Sequence, residues 1–128
     1  MLDEEGADLV ESYLDGADEV VTSRITYAEV RAALAAAVRG GRHSASDHRG
    51  ATRALDRSWE EVLTLDVTDP VVRLAGALTD RHRLRGFDAV HVASAMSVRS
   101  RQLLLLTLDR EVAESAVGEG VAAAPALT

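Results

Sequence analysis

Apolar residues recur at helical spacing along most of the chain, and the intervals between these stretches are short apolar or alternating runs that read as strands. Ala7, Val10 and Leu14 mark one face of a short helix ending near Gly16, and Glu19 to Ser23 reads as a strand. Tyr27, Val30, Leu34, Ala37 and Val38 follow at helical spacing, and Gly40-Gly41 supplies a stop. Between Arg39 and Arg53 the clustering of Gly, Arg, His and Ser predicts a helix end and a loop, which puts His43 and His48 on the surface. Ala51, Ala54, Leu55, Ser58, Trp59 and Val62 form another stripe, which runs into the alternating segment Val62 to Val67.

Asp69-Pro70 predicts an N-cap with proline at the first helical position, and Val71, Leu74, Ala75 and Leu78 form the buried face behind it. That helix ends in the basic stretch Arg81 to Gly86. Asp88 to about Arg99 reads as the next helix, and Gln102 to Thr107 as an apolar strand covered on both faces. Asp109 opens a last helix, Gly118 and Gly120 close it, and Val121 to Ala123 reads as an edge strand. Strands separated by helices, with no hairpin signal between apolar runs, predict crossover connections. The expected fold is α/β in three layers, helices on both faces of a central parallel sheet.

The length of 128 residues fits one domain, and hydrophobic and charged fractions of 47% and 27% are those of a globular chain. With no cysteine, a disulfide framework, a thiolate zinc site and thiol catalysis are excluded. The acidic N-terminus has no secretory pattern, and the longest apolar run, Leu103 to Leu106, is too short to span a bilayer, which predicts a soluble cytoplasmic protein. The 21 acidic residues outnumber the 14 basic ones, all arginine, and the net charge of −7 disfavours nucleic acid unless something local reverses the sign.

In a parallel sheet the ligand site lies beyond the carboxyl ends of the strands. Glu29, Asp88 and Asp109 all fall in that zone, and three converging carboxylates need a cation between them. A hard ion such as Mg²⁺ or Mn²⁺ suits oxygen donors and activates water for hydrolysis. Each acid also has a purely local explanation. Thr26-Tyr27-Ala28-Glu29 fits a capping box, and Asp88 and Asp109 fit helix N-caps.

Three segments carry a resemblance: Thr22-Ser23-Arg24-Ile25-Thr26-Tyr27-Ala28-Glu29-Val30, then Leu84-Arg85-Gly86-Phe87-Asp88-Ala89-Val90-His91-Val92-Ala93-Ser94-Ala95, then Leu105-Leu106-Thr107-Leu108-Asp109-Arg110-Glu111. In this order they resemble the motifs of PIN-domain proteins, and most closely the VapC toxins of bacterial type II toxin-antitoxin systems. The resemblance implies a metal-dependent endoribonuclease in which Glu29, Asp88 and Asp109 hold Mg²⁺ or Mn²⁺. It also implies an RNA substrate, a cognate antitoxin and a homodimer. Thr107 falls where such proteins often carry Ser or Thr near the site. His91 lies on the helical face of Asp88, and Arg85 and Arg24 are candidate RNA phosphate contacts, with packing or helix-end charge as the plainer alternatives. Tyr27 and Trp59 read as core, and no aromatic stacking platform is visible.

One departure stands out. PIN-domain proteins usually begin with an apolar strand ending in a metal-binding Asp, in the middle of the sheet, and Leu2 to Gly6 aligns with the helix after that strand. The expectation is thus a domain lacking its usual first strand and first acidic ligand, with an apolar slot and unpaired strand edges that weaken or inactivate it. A remnant that binds antitoxin without cutting RNA is the alternative reading. A receiver-like signalling domain is disfavoured because the chain has no lysine.

Overall fold

A computed structural model describes residues 12–98 and 103–125. A helical turn at 12–15 precedes β1 (Val21–Ser23). Then come α1 (Thr26–Arg39), α2 (Ala45–Trp59), β2 (Leu63–Leu65), α3 (Asp69–Arg81), α4 (Gly86–Ser97), β3 (Leu104–Thr107), α5 (Arg110–Gly118) and β4 (Ala122–Pro125). Ala7, Val10, Arg99 and Gln102, which were expected in a helix or strand, lie outside the described residues.

Local chemistry explains most element boundaries. In α2 the Ser44 side chain accepts from the Asp47 backbone and the Asp47 side chain accepts from the Ser44 backbone. This capping box starts the helix six residues earlier than the apolar stripe predicts, so His48 lies in a helix and not in a loop. The Ser44 hydrogen bonds hold the Asp47 carboxyl below the usual aspartate range. The cap of α3 is Thr68, whose hydroxyl accepts from the Val71 N–H at 3.4 Å, so Asp69 and Pro70 sit inside the first turn and not at the cap. Gly120 adopts φ 86° just past α5, and there the Val121 N–H returns to the Ala116 carbonyl at 2.9 Å.

The core lies where α3, α4 and α5 meet. Val71, Ala75 and Leu78 form the inner stripe of α3, and α4 answers with Ala89, Val92, Ala93 and Ala95. Small residues on α4 let the two helices pack closely, and Leu78 and Val92 are the largest side chains wholly removed from solvent. Val112, Ala116 and Val121 close the cluster from the other side. At its margin Glu119 ties the end of α3 to the end of α5. It accepts from Arg81 Nε and Nη2 at 3.1 and 3.2 Å and pairs with His82 Nε2 at 2.7 Å.

The Arg81 and His82 hydrogen bonds, with their charges, hold the Glu119 carboxyl below the ordinary glutamate range, outweighing its partial burial. A depressed folded-state pKa stabilises the fold fully above the ordinary glutamate value. That stabilisation fades as pH falls through the depressed value. Glu119→Gln is therefore expected to lower stability at neutral pH and to leave a flatter decline into acid, as read by thermal melts across a pH series.

All observed strand pairs are parallel, as expected, but a single central sheet is not formed by the described residues. β1 pairs with β2, in the register Val21 with Leu63, and β3 pairs with β4, in the register Leu104 with Ala122. Between β1 and β3 lies a largely apolar cavity of about 770 Å³. The cavity also explains why β3 is not covered on both faces: Leu104 is exposed and the rest of the strand is only half buried. Among the described residues no helix is long and apolar enough to cross a membrane.

Candidate functional site

The polar end of the cavity gathers residues from three elements. Ser23 ends β1, Thr107 ends β3, and Arg85, Asp88 and His91 come from the start of α4, which packs against β1. Asp109 lies two residues beyond β3 and also lines the cavity. This is the carboxyl end of both inner strands, where a parallel α/β arrangement places its chemistry.

The local explanations for the three acids divide. The N-cap of α1 is Ile25, with no side-chain cap, and the Thr26 hydroxyl is engaged with that of Thr22 at 2.7 Å, so no capping box accounts for Glu29. Instead Glu29 Oε1 meets His91 Nε2 at 3.1 Å across 62 residues of chain. Asp88 is not an N-cap either. That position belongs to Arg85, and Asp88 sits in the first turn, accepting from Arg85 Nε at 3.2 Å. Asp109 is an N-cap, since its Oδ1 accepts from the N–H groups of Glu111 and Val112 at 2.8 and 3.2 Å. Both bonds fall on one oxygen. Its own N–H donates to the Thr107 hydroxyl at 3.1 Å, so Thr107 fixes the turn that presents Asp109.

Arg85 contacts Asp88 directly. Its guanidinium is held above its ordinary pKa first by the hydrogen bond to Asp88, then by the charge of Asp88, and further by the charges of Asp109 and Glu29. One cation thus lies in the field of all three carboxylates. Arg24 is placed differently: its Nε pairs with Asp66 at 2.6 Å on the exposed side of the β1–β2 pair, apart from the cavity wall. Tyr27 and Trp59 meet edge to face at 5.4 Å and are half buried, and the Tyr27 hydroxyl donates to Asp56 at 2.6 Å. Phe87, next to Asp88, is 67% exposed, a surface aromatic that helical periodicity does not reveal.

Aspartate and glutamate oxygens are the donors Mg²⁺ and Mn²⁺ prefer, and Asp88 and Asp109 both line the cavity. The donor type suits such an ion, but the geometry does not fit one: among the described residues no three Asp, Glu or His side chains stand close enough together to hold a metal. Asp88 is engaged by Arg85, Glu29 by His91 and Asp109 by its helix start.

Comparison with known proteins agrees with the motif order. Over 123 residues the chain is 39% identical to Ribonuclease VapC45 of Mycobacterium tuberculosis (strain CDC 1551 / Oshkosh), covering 96% of this chain and 85% of that protein. Its identity and coverage are the same against Ribonuclease VapC49 of Mycobacterium tuberculosis (strain ATCC 25618 / H37Rv). The family profile described as PIN domain matches residues 1–117. That match runs through β1, α4 and the turn carrying Asp109, so every element of the site falls within it, and the chain belongs to the PIN domain family.

Proposed function

We propose that the chain is a VapC-like endoribonuclease, the toxin of a type II toxin-antitoxin pair, which hydrolyses RNA phosphodiester bonds using Glu29, Asp88 and Asp109. The observation that carries this reading is that Arg85, Asp88, His91 and Asp109 line one cavity that also takes in the carboxyl ends of β1 and β3, with Glu29 hydrogen-bonded to His91. The cofactor that the oxygen donors of the three acids suit is Mg²⁺ or Mn²⁺.

The chain's own residues do the rest. His91 orients Glu29 through its 3.1 Å contact, and Thr107 orients Asp109. Arg85, 87% exposed, offers a guanidinium to an incoming phosphate at the rim of an acidic site. Arg24 takes up a second phosphate only by releasing Asp66. Local arginines answer the objection raised by the net charge of −7.

In this reading residues 1–128 are a single domain acting in the cytoplasm. The two strand pairs are halves of one parallel sheet in a three-layer fold, facing each other across the cavity. The cavity is apolar there, and the hydroxyl of Ser94, 3% exposed on the cavity wall, has no hydrogen-bond partner. The partners are RNA, a cognate antitoxin and a second copy of the chain.

The open arrangement of the three acids favours one alternative, a catalytically inactive PIN-domain remnant that binds antitoxin. Incubating the purified protein with single-stranded RNA separates the two. Cleavage in Mg²⁺ that stops on chelation supports the nuclease, whereas a folded protein that leaves RNA intact supports the remnant.

A further inference from the structure

We propose that Phe87 is the base-stacking residue of the site: its ring takes the face of an unpaired RNA base beside Asp88, while the exposed arginines next to it meet the phosphates. The inference rests on the proposed RNA substrate and goes beyond it, by assigning a residue that holds a base and not the backbone. Three observations carry it. Phe87 is 67% exposed in the first turn of α4, next to Asp88, which lines the cavity. Residues at i, i+4 and i+7 of a helix share a face, and Phe87, His91 and Ser94 stand at that spacing. His91 and Ser94 line the cavity, so Phe87 continues the cavity face of α4 at its polar end. Helical side chains lean towards the helix N-terminus, which carries the ring away from the cavity interior and into solvent.

The surroundings of the ring select its occupant. Arg83 and Arg85 are both exposed, the Arg85 side chain by 87%. A single ring set among guanidinium groups is a smaller apolar patch than a protein partner needs. A ring beside cations is what a single strand of RNA requires, since its bases stack on the π face and its phosphates take the charge. In a duplex the base faces are already stacked on one another, so the ring favours single strands. Stacking tolerates any base, and Phe87 therefore positions the strand without reading its sequence.

The test is binding of a fluorescein-labelled single-stranded RNA of about ten nucleotides to the full chain, read by fluorescence anisotropy with chelator present so that the strand stays whole. Phe87→Ala is expected to bind roughly 5- to 100-fold more weakly than the wild type, the loss that one unstacked base gives. Phe87→Tyr keeps a ring face and is expected to bind within about 2-fold of the wild type, whereas Phe87→Leu keeps apolar bulk without a ring and is expected to bind as weakly as Phe87→Ala. The exposed position lets all three variants fold, as circular dichroism checks. Duplex RNA of the same sequence is expected to bind all of them alike. Wild-type affinity for the single strand in Phe87→Ala or Phe87→Leu overturns the stacking role, and so does equal weakening on duplex RNA. A Phe87→Ala variant that changes oligomeric state in sedimentation while keeping its RNA affinity also overturns it, and makes the ring a contact between copies. If the wild type binds and cleaves single-stranded RNA and Phe87→Ala does both equally well, only the stacking falls; if the wild type neither binds nor cleaves it, the RNA reading falls and the stacking with it.

Discussion

Asp88→Asn is expected to slow RNA cleavage by a factor on the order of 10² to 10⁴, while the circular dichroism spectrum and melting temperature stay close to wild type. The change keeps the shape of the side chain and an oxygen that can still accept from Arg85 Nε, so the start of α4 loses little. What it removes is the charge of a carboxylate on the cavity wall, next to the helix face that carries His91 and Ser94. A merely structural Asp88 predicts the opposite pattern, with cleavage preserved and stability altered. The comparison therefore needs both readouts on the same preparation, with initial rates measured on a short single-stranded RNA and melts run in the same buffer.

The largest expected effect on stability is that of Leu78→Ala, a loss of about 2–5 kcal/mol. Leu78 is wholly buried on the inner stripe of α3 and faces the Ala- and Val-lined surface of α4. Side chains that small cannot reach into the vacated volume, so the cavity stays open and the cost falls towards the upper part of that range. A domain of this size commonly has a total stability of about 5–15 kcal/mol, so the variant is expected to melt at least ten degrees or so lower. An exposed neighbour on the same helix, Val72, serves as the control, since Val72→Ala removes no buried contact and is expected to leave the melt nearly unchanged. Equal losses from both would mean that the α3–α4 interface is not the core.

The sequence made some features of this molecule easy to read and left others out of reach. Periodicity located α1, α3, α4 and β3 because each carries an uninterrupted apolar stripe or run. It started α2 late because Ser44 and Asp47 define its beginning through polar capping bonds, and a hydrophobic pattern does not register those. It took Asp69 for a cap because Asp-Pro is a strong local signal, although the preceding Thr68 occupies the cap position. The division of the strands into two pairs around a cavity was not legible as such, since pairing depends on which edges meet in space.

At the site, the three acids were found from their positions at strand and helix ends, and their local explanations separated only in three dimensions. Glu29 and His91 lie 62 residues apart, and nothing in either segment announces their contact. The pairing of Arg85 was equally invisible: the sequence showed a basic helix end, whereas the fold sets Arg85 Nε 3.2 Å from Asp88 Oδ2.

The central claim is that Glu29, Asp88 and Asp109 act as one unit on RNA, and the rates of their combined variants test it most directly. Groups that act together give non-additive losses: once one is removed, removing a second costs little more. Cleavage rates in Mg²⁺ for Glu29→Gln, Asp88→Asn, Asp109→Asn and the three double variants are predicted to fall to a common low level, each double variant no slower than its slower parent. Losses that multiply in the double variants, or a Glu29→Gln variant that cleaves RNA at the wild-type rate, would contradict the account.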